Sequence, residues 1–145
     1  MFKYITCFLT ILLLQFTIGC SSNKNEKNNN LYNEIGGQEG IESLVNAFIK
    51  RIPTDKEILP YFAKSSVKHF KEGFINHLCV MVSGPCQYNG DTMIDIHTGM
   101  NITERDFNRV VELLIQAMED EGISYQTQNK LLFKLAGLRD QVIKI

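Results

Sequence analysis

The sequence predicts an all-α domain, and three observations carry that prediction. Apolar residues recur at helical spacing in four separate runs, and each run opens or closes on a capping or breaking residue. No stretch alternates apolar with polar residues as a half-buried strand would. With 145 residues and 44% hydrophobic content, the chain can bury one modest core. A formal net charge of −1 leaves no electrostatic footprint for nucleic acid, which is set aside as a partner.

Each element has a local cause. Leu31 to Ile35 predicts a short helical turn halted by Gly36-Gly37. From Gln38, the spacing of Ile41, Leu44, Val45, Phe48, Ile49 and Ile52 predicts a helix ended by Pro53. Thr54 with Glu57 three residues on predicts a capping box for a short helix reaching Leu59-Pro60, with Tyr61-Phe62 in the connection after it. Ser65 or Ser66 caps the next helix, whose stripe is Val67, Phe70, Phe74, His77 or Leu78, and Met81; it stops before Gly84-Pro85. Thr103 and Asp106 form a capping box for a long helix with Phe107, Val110, Val111, Leu114, Ala117 and Met118 inward, closed by Gly122. Ser124 caps the last helix, with Leu131 or Leu132, Leu135, Leu138 and Val142 as its stripe.

The N-terminus does not read as part of this domain. Lys3 precedes an apolar run from Ile5 to Phe16 that is too short for a spanning helix, which needs roughly 20 apolar residues. It suits the apolar core of a signal peptide. Thr17-Ile-Gly-Cys20 resembles a bacterial lipobox with Cys20 as the lipidated residue, and Thr17 standing in place of the usual Leu keeps ordinary signal-peptide cleavage as the alternative. The polar stretch after Cys20 buries nothing and reads as a flexible tether. The expected organisation is a signal peptide over 1–19, lipidated Cys20 and tether over 20–30, and the domain over 31–145. Such a chain is an exported lipoprotein held at a membrane and facing the periplasm or another extracytoplasmic space. In that oxidising compartment Cys79 and Cys86 can form a disulfide. Two free thiols, or a metal site with His77, are the other readings, the last lacking a fourth ligand at a usual spacing.

The residues with most chemistry lie on Met93-Ile-Asp-Ile-His97. Taken alone, a single imidazole among apolar groups is more often a core or surface histidine than a ligand. The rest of the chain changes that weighting. Tyr32…Ile35-Gly-Gly37, Leu44-Val45…Phe48, Tyr61-Phe62, Gly84-Pro85…Tyr88-Asn-Gly90, Met93 to His97, Gly99…Ile102-Thr103 and Leu138-Arg139 follow in order along the whole domain. This series resembles the group I truncated haemoglobins, a short globin fold with helices packed two over two around a haem.

The resemblance implies a site. His97 is the proximal ligand of iron in haem b, with its second ring nitrogen donating to a backbone carbonyl. Phe62 wedges against the haem face, and Met93, Met100, Ile102, Phe107, Val111 and Leu114 form the remaining wall. Tyr88, Lys71 and Lys68 are candidates to pair with the propionates, the two lysines having a solvated helix face as their alternative. On the distal side Ile49 stands where many relatives carry a Tyr. Phe70 and Phe74 occupy ligand-facing positions that are often polar, Leu78 completes that side, and Ser83 replaces a glycine. A pocket so built lacks a hydrogen-bond donor, which costs about 1.5–3 kcal/mol, or roughly ten- to a hundred-fold in O2 affinity. Faster O2 release, preference for CO and quicker oxidation of the iron follow. His69 and His77 are each either structural or a sixth iron ligand.

The function this implies is binding of O2, CO and NO, for oxygen transport or, with a reductase partner, NO detoxification. The competing reading is a haem-free helical interaction module tethered in the cell envelope.

Overall fold

The computed structural model describes residues 30 to 145. The leader and the Cys20 tether expected before that lie outside the described residues. Within them the chain is helical throughout, with no strand.

Asn30 opens α1 (Leu31–Ile35) by accepting the Asn33 amide at 3.0 Å. Gly36, at φ 102°, closes it in a left-handed conformation that side chains resist. α2 (Gly37–Arg51) starts at once, and the corner is tight: a Cβ at Gly40 would lie 1.9 Å from the Ile35 carbonyl oxygen. Ile41, Leu44, Val45 and Phe48 share one face of α2 and are almost fully buried. That face packs on α4 (Val67–Met81) and α6 (Glu104–Asp120), so α2 is the central element of the core. Ile75, Leu78 and Cys79 close the core from α4, and Leu113, Leu114, Ala117 and Met118 close it from α6. The last helix, α7 (Tyr125–Ala136), adds Leu131. Arg51, at the end of α2, pairs with Asp120 and donates to the Gln116 carbonyl at 3.1 Å, locking α2 to the end of α6.

The expected caps on α4, α6 and α7 form. The Ser66 hydroxyl accepts the His69 amide, Thr103 and Asp106 make a reciprocal capping box, and Ser124 accepts the Thr127 amide. The segment between α2 and α4 differs from expectation. Pro53 sits inside a 3-10 turn, Ile52–Thr54, and Thr54 donates back to the Arg51 carbonyl at 2.8 Å instead of capping forward. Asp55 takes that role: its Oδ1 accepts the Glu57 and Ile58 amides at 3.0 and 2.9 Å. Oδ2 accepts from Arg109 Nε of α6 at 2.6 Å. A buried carboxylate with a cationic partner out-competes a hydroxyl for the same amides. The helix that follows, α3 (Leu59–Phe62), therefore contains Tyr61 and Phe62, which the sequence placed in a loop.

The stripe expected along the last helix is also cut short. α7 ends at Ala136, the Gly137 amide turns back to the Lys134 carbonyl, and Leu138 and Val142 flank a separate 3-10 turn, Arg139–Gln141. Glycine weakens a helix by about 1 kcal/mol relative to alanine, enough to end one whose neighbours can pack elsewhere.

Candidate functional site

His97 is the last residue of α5 (Met93–His97), a helix of little more than one turn. Thr92 makes so short a helix possible, its hydroxyl accepting the Asp95 amide at 3.2 Å. Beyond His97, Thr98 donates to the Ile94 carbonyl at 2.7 Å. The C-terminus returns along this segment: the Gly99 amide donates to the Ile145 carbonyl at 2.9 Å, and the Lys144 amide to the Ile102 carbonyl at 3.0 Å. The histidine is thus held between a capped turn and a backbone strap.

The imidazole itself is half-buried, and its Nδ1 lies 2.7 Å from the Met93 carbonyl oxygen. A carbonyl can only accept, so Nδ1 carries the proton. In the neutral ring Nε2 is then the nitrogen with a free lone pair, the tautomer that a metal-ligating histidine uses.

Around the C-terminal half of α2 stands an aromatic cluster. Phe70 and Phe74 of α4 lie 5.5 Å apart, Phe62 meets Phe70 edge-on at 4.9 Å, and buried Phe48 meets Phe74 at 5.6 Å. Phe48, expected only as core, is the base on which this wall rests. Phe62, Phe70 and Phe74 are half-buried, as are Ile49, Met93, Met100, Phe107 and Val111, whereas Leu78, Ile102 and Leu114 are buried. The first group presents the open apolar surface, and the second backs it. Tyr61, next to Phe62, donates to Asp106 at 2.8 Å and so ties α3 to the start of α6. That bond holds the Tyr61 hydroxyl above its ordinary pKa, with burial adding to it.

His77 lies one turn beyond Phe74 on α4. Its ring meets Tyr88 edge-on at 5.2 Å, and its Nε2 is buried without a hydrogen-bond partner among the described residues. Burial, and secondarily the charge of nearby His97, push its pKa below that of an ordinary histidine, so it is neutral at pH 7. Tyr88 turns its hydroxyl onto the Asp91 carbonyl at 2.8 Å, and burial, helped by the Asp91 charge, raises its pKa. His69 is exposed on α4. Lys68 is also exposed and reaches Glu72 at 3.9 Å, while Lys71 is half-buried. Cys79 and Cys86 are joined in a disulfide with Cα atoms 5.9 Å apart, which ties the end of α4 to the loop that carries Tyr88. Gly84 allows this turn, since a Cβ there would come within 2.6 Å of Cys79 Sγ and 2.5 Å of the Tyr32 ring.

The chain's own chemistry fits haem. The His97 Nε2 lone pair could ligate the iron, apolar side chains left half-buried match a flat apolar ring, and the buried His77 Nε2 has no hydrogen-bond partner among the described residues. Thr92 and the terminal strap were missed in the sequence. Thr92-x-x-Asp95 carries a readable cap signal, whereas the strap is made of backbone groups and carries none.

The comparisons with known proteins agree with this fold. A family model described as bacterial-like globin matches residues 30–144. The chain is 30% identical over 113 residues to the group 1 truncated hemoglobin GlbN of Nostoc sp. (strain MUN 8820), across 78% of this chain and 96% of that protein. It is 27% identical over 96 residues to the group 1 truncated hemoglobin of Tetrahymena thermophila, across 66% and 79%. Among solved structures, the Fe(III) form of truncated hemoglobin from Tetrahymena pyriformis superposes with a TM-score of 0.75 at 22% identity, over 78% of this chain and 97% of that one. The group II truncated hemoglobin from Bacillus anthracis does so at 0.72 and 22%, over 79% and 91%. At these identities the superpositions speak for the fold alone. The match over residues 30–144 and the Nostoc relative, itself a group 1 truncated hemoglobin, establish that the chain belongs to the bacterial-like globin family.

Proposed function

We propose that this domain binds haem b through His97 Nε2, carries a diatomic gas, and is exported and held at a membrane by a lipid on Cys20. The observation that carries the haem reading is the 2.7 Å contact between His97 Nδ1 and the Met93 carbonyl, which fixes the ring's tautomer and direction before any ligand arrives. When bound, haem would supply an iron that takes O2, CO or NO. Phe62, Phe70 and Phe74 would cover the gas and exclude water, with Ile49 beside them, and Met93, Met100, Phe107 and Val111 would line the remainder. Of the two candidate lysines, Lys71 is half-buried and Lys68 is exposed, which makes Lys71 the better partner for a propionate. None of the distal side chains named here donates a hydrogen bond. That favours carriage or sensing of a gas over NO oxidation, which needs O2 held at the iron and a reductase.

A second reading of the sixth position has its own support. His77 Nε2 is neutral, buried and unpartnered, and an unsatisfied buried polar atom costs about 1–3 kcal/mol. Coordination to iron would remove that cost. The ligand-free ferrous spectrum separates the two readings: sharp, split visible bands mean His77 binds, and one broad band means an open position.

Haemin titration tests the proposal itself. One equivalent should saturate the purified chain with a Soret band. Failure to take up haemin at stoichiometric amounts would leave only a helical module with a globin outline.

The lipid anchor rests on the sequence of residues 1–20, where an apolar run ends in Gly19-Cys20. Metabolic labelling with a radioactive fatty acid, lost in Cys20→Ala, is the expected result. Secretion of an unlabelled protein would replace the anchor with simple cleavage.

A further inference from the structure

Among the described residues the two most exposed aromatic side chains lie on α7, a helix that supplies none of the residues proposed to hold haem. Phe133 is 83% exposed and Tyr125 78% exposed. They lie eight residues apart on one helix, with Asn129 midway, so all three share a face. A groove beside them is lined by Leu31, Gln126, Asn129, Lys130, Phe133 and Lys134. Neither aromatic contributes to the core. Leu31 is the first residue of α1, so the groove opens at the point where the chain enters the fold.

What lies upstream of that point decides the occupant. Ten residues, 21–30, separate Cys20 from Leu31. Ten residues, however they are arranged, reach at most about 35 Å. With Cys20 anchored in a bilayer, the end of the domain bearing Leu31 stays within about 35 Å of the lipid surface. The α7 groove adjoins that end, since Leu31 lines it beside Phe133. Its make-up is that of an interfacial face, with Phe and Tyr bodies flanked by lysines whose stems can lie along lipid while their ammonium groups stay in water. Lys130 is already paired with Glu34 at 2.7 Å, which leaves Lys134 as the lysine of this groove without a carboxylate partner among the described residues.

We propose that the Tyr125–Phe133 face of α7 docks on the headgroup region of the membrane that holds the chain, fixing the domain's orientation instead of leaving it to swing on its tether. This rests on the Cys20 anchor. The tether keeps the face at high effective concentration, so a contact too weak to recruit a free domain suffices to orient a tethered one.

Spin labelling tests it on the full, processed chain in liposomes of neutral and anionic phospholipid. With Cys79 and Cys86 in their disulfide and Cys20 lipidated, Asn129→Cys supplies the one reactive thiol of the mature chain and keeps both aromatics of the face. Because Asn129 is exposed, its replacement leaves the core intact. Lys56→Cys, an exposed site before α3, is the reference. The expected result is a label at 129 that collides with O2, relative to a water-soluble nickel chelate, several-fold more often than the label at 56. Equal, water-like ratios at both sites, with the protein still floating with the vesicles, would overturn the docking and leave the anchor standing. Loss of flotation would overturn the anchor and the docking with it. A label at 129 shielded from both reagents equally with and without vesicles would mean a second copy on this face and would also overturn the proposal.

Discussion

His97 Nδ1 sits 2.7 Å from the carbonyl oxygen of Met93, one helical turn earlier, in a helix only as long as that contact. The ligand face of the ring is therefore set by backbone geometry. It does not depend on a second side chain that could be lost by mutation.

The distal wall yields the first prediction. Phe70 and Phe74 stack at 5.5 Å and offer no donor. Phe74→Gln places an amide donor there, and a hydrogen bond to a polarised ligand is worth about 1.5–3 kcal/mol. Flash photolysis should show O2 release slowed roughly ten- to a hundred-fold, with CO release changed much less. Equal effects on both gases would mean that residue 74 does not face the ligand.

Asp55 yields the second. Burial pushes its carboxyl up, but the Arg109 hydrogen bond and the Ile58 and Glu57 amides outweigh it, so its pKa lies below the ordinary value. A lowered pKa contributes stability that is present at neutral pH and is lost as pH falls through that pKa. Asp55→Asn should cost about 1–3 kcal/mol in urea unfolding at pH 7, because the cap weakens and Arg109 loses a partner. The gap between variant and parent should narrow as the buffer is taken below pH about 4. A gap that stays constant to low pH would show that charge plays no part.

The disulfide yields the third. Cys79 and Cys86 close a short loop, for which chain entropy predicts about 2–3 kcal/mol. Paired replacement by Ser should lower Tm by roughly 5–10 °C, given about 2 kcal/mol lost in a domain of this size. A reductant should shift the parent by the same amount and leave the variant unmoved. A variant as stable as the parent would mean the turn is held by Gly84 and the Tyr32–Val82 contact instead.

Most of the helical frame was legible because its signals are local. Ser66, Thr103 and Ser124 cap the amides next to them, and the stripes of α2, α4 and α6 repeat within a few residues. The cap before α3 was not legible, since Asp55 outranks Thr54 only through Arg109, 54 positions later. The strap behind His97 escaped for a related reason. Gly99, Ile102, Lys144 and Ile145 meet through backbone groups that every residue but proline carries. Within the site, His97 stood out through the family resemblance, while the orphaned His77 nitrogen emerged only once burial was known. Phe48 looked like core from its spacing, and it is, but its edge contact with Phe74 and its tilted contact with Phe70 make it part of the aromatic cluster as well.

The most direct test of the haem reading is the Soret absorption of His97→Gly purified beside the parent chain. A coordinated His97 predicts a strong band in the parent and a weak or missing one in the variant. Added free imidazole should restore it, because the vacated space admits the missing ring. A variant that keeps the parent's full band and shape without imidazole would contradict ligation by His97.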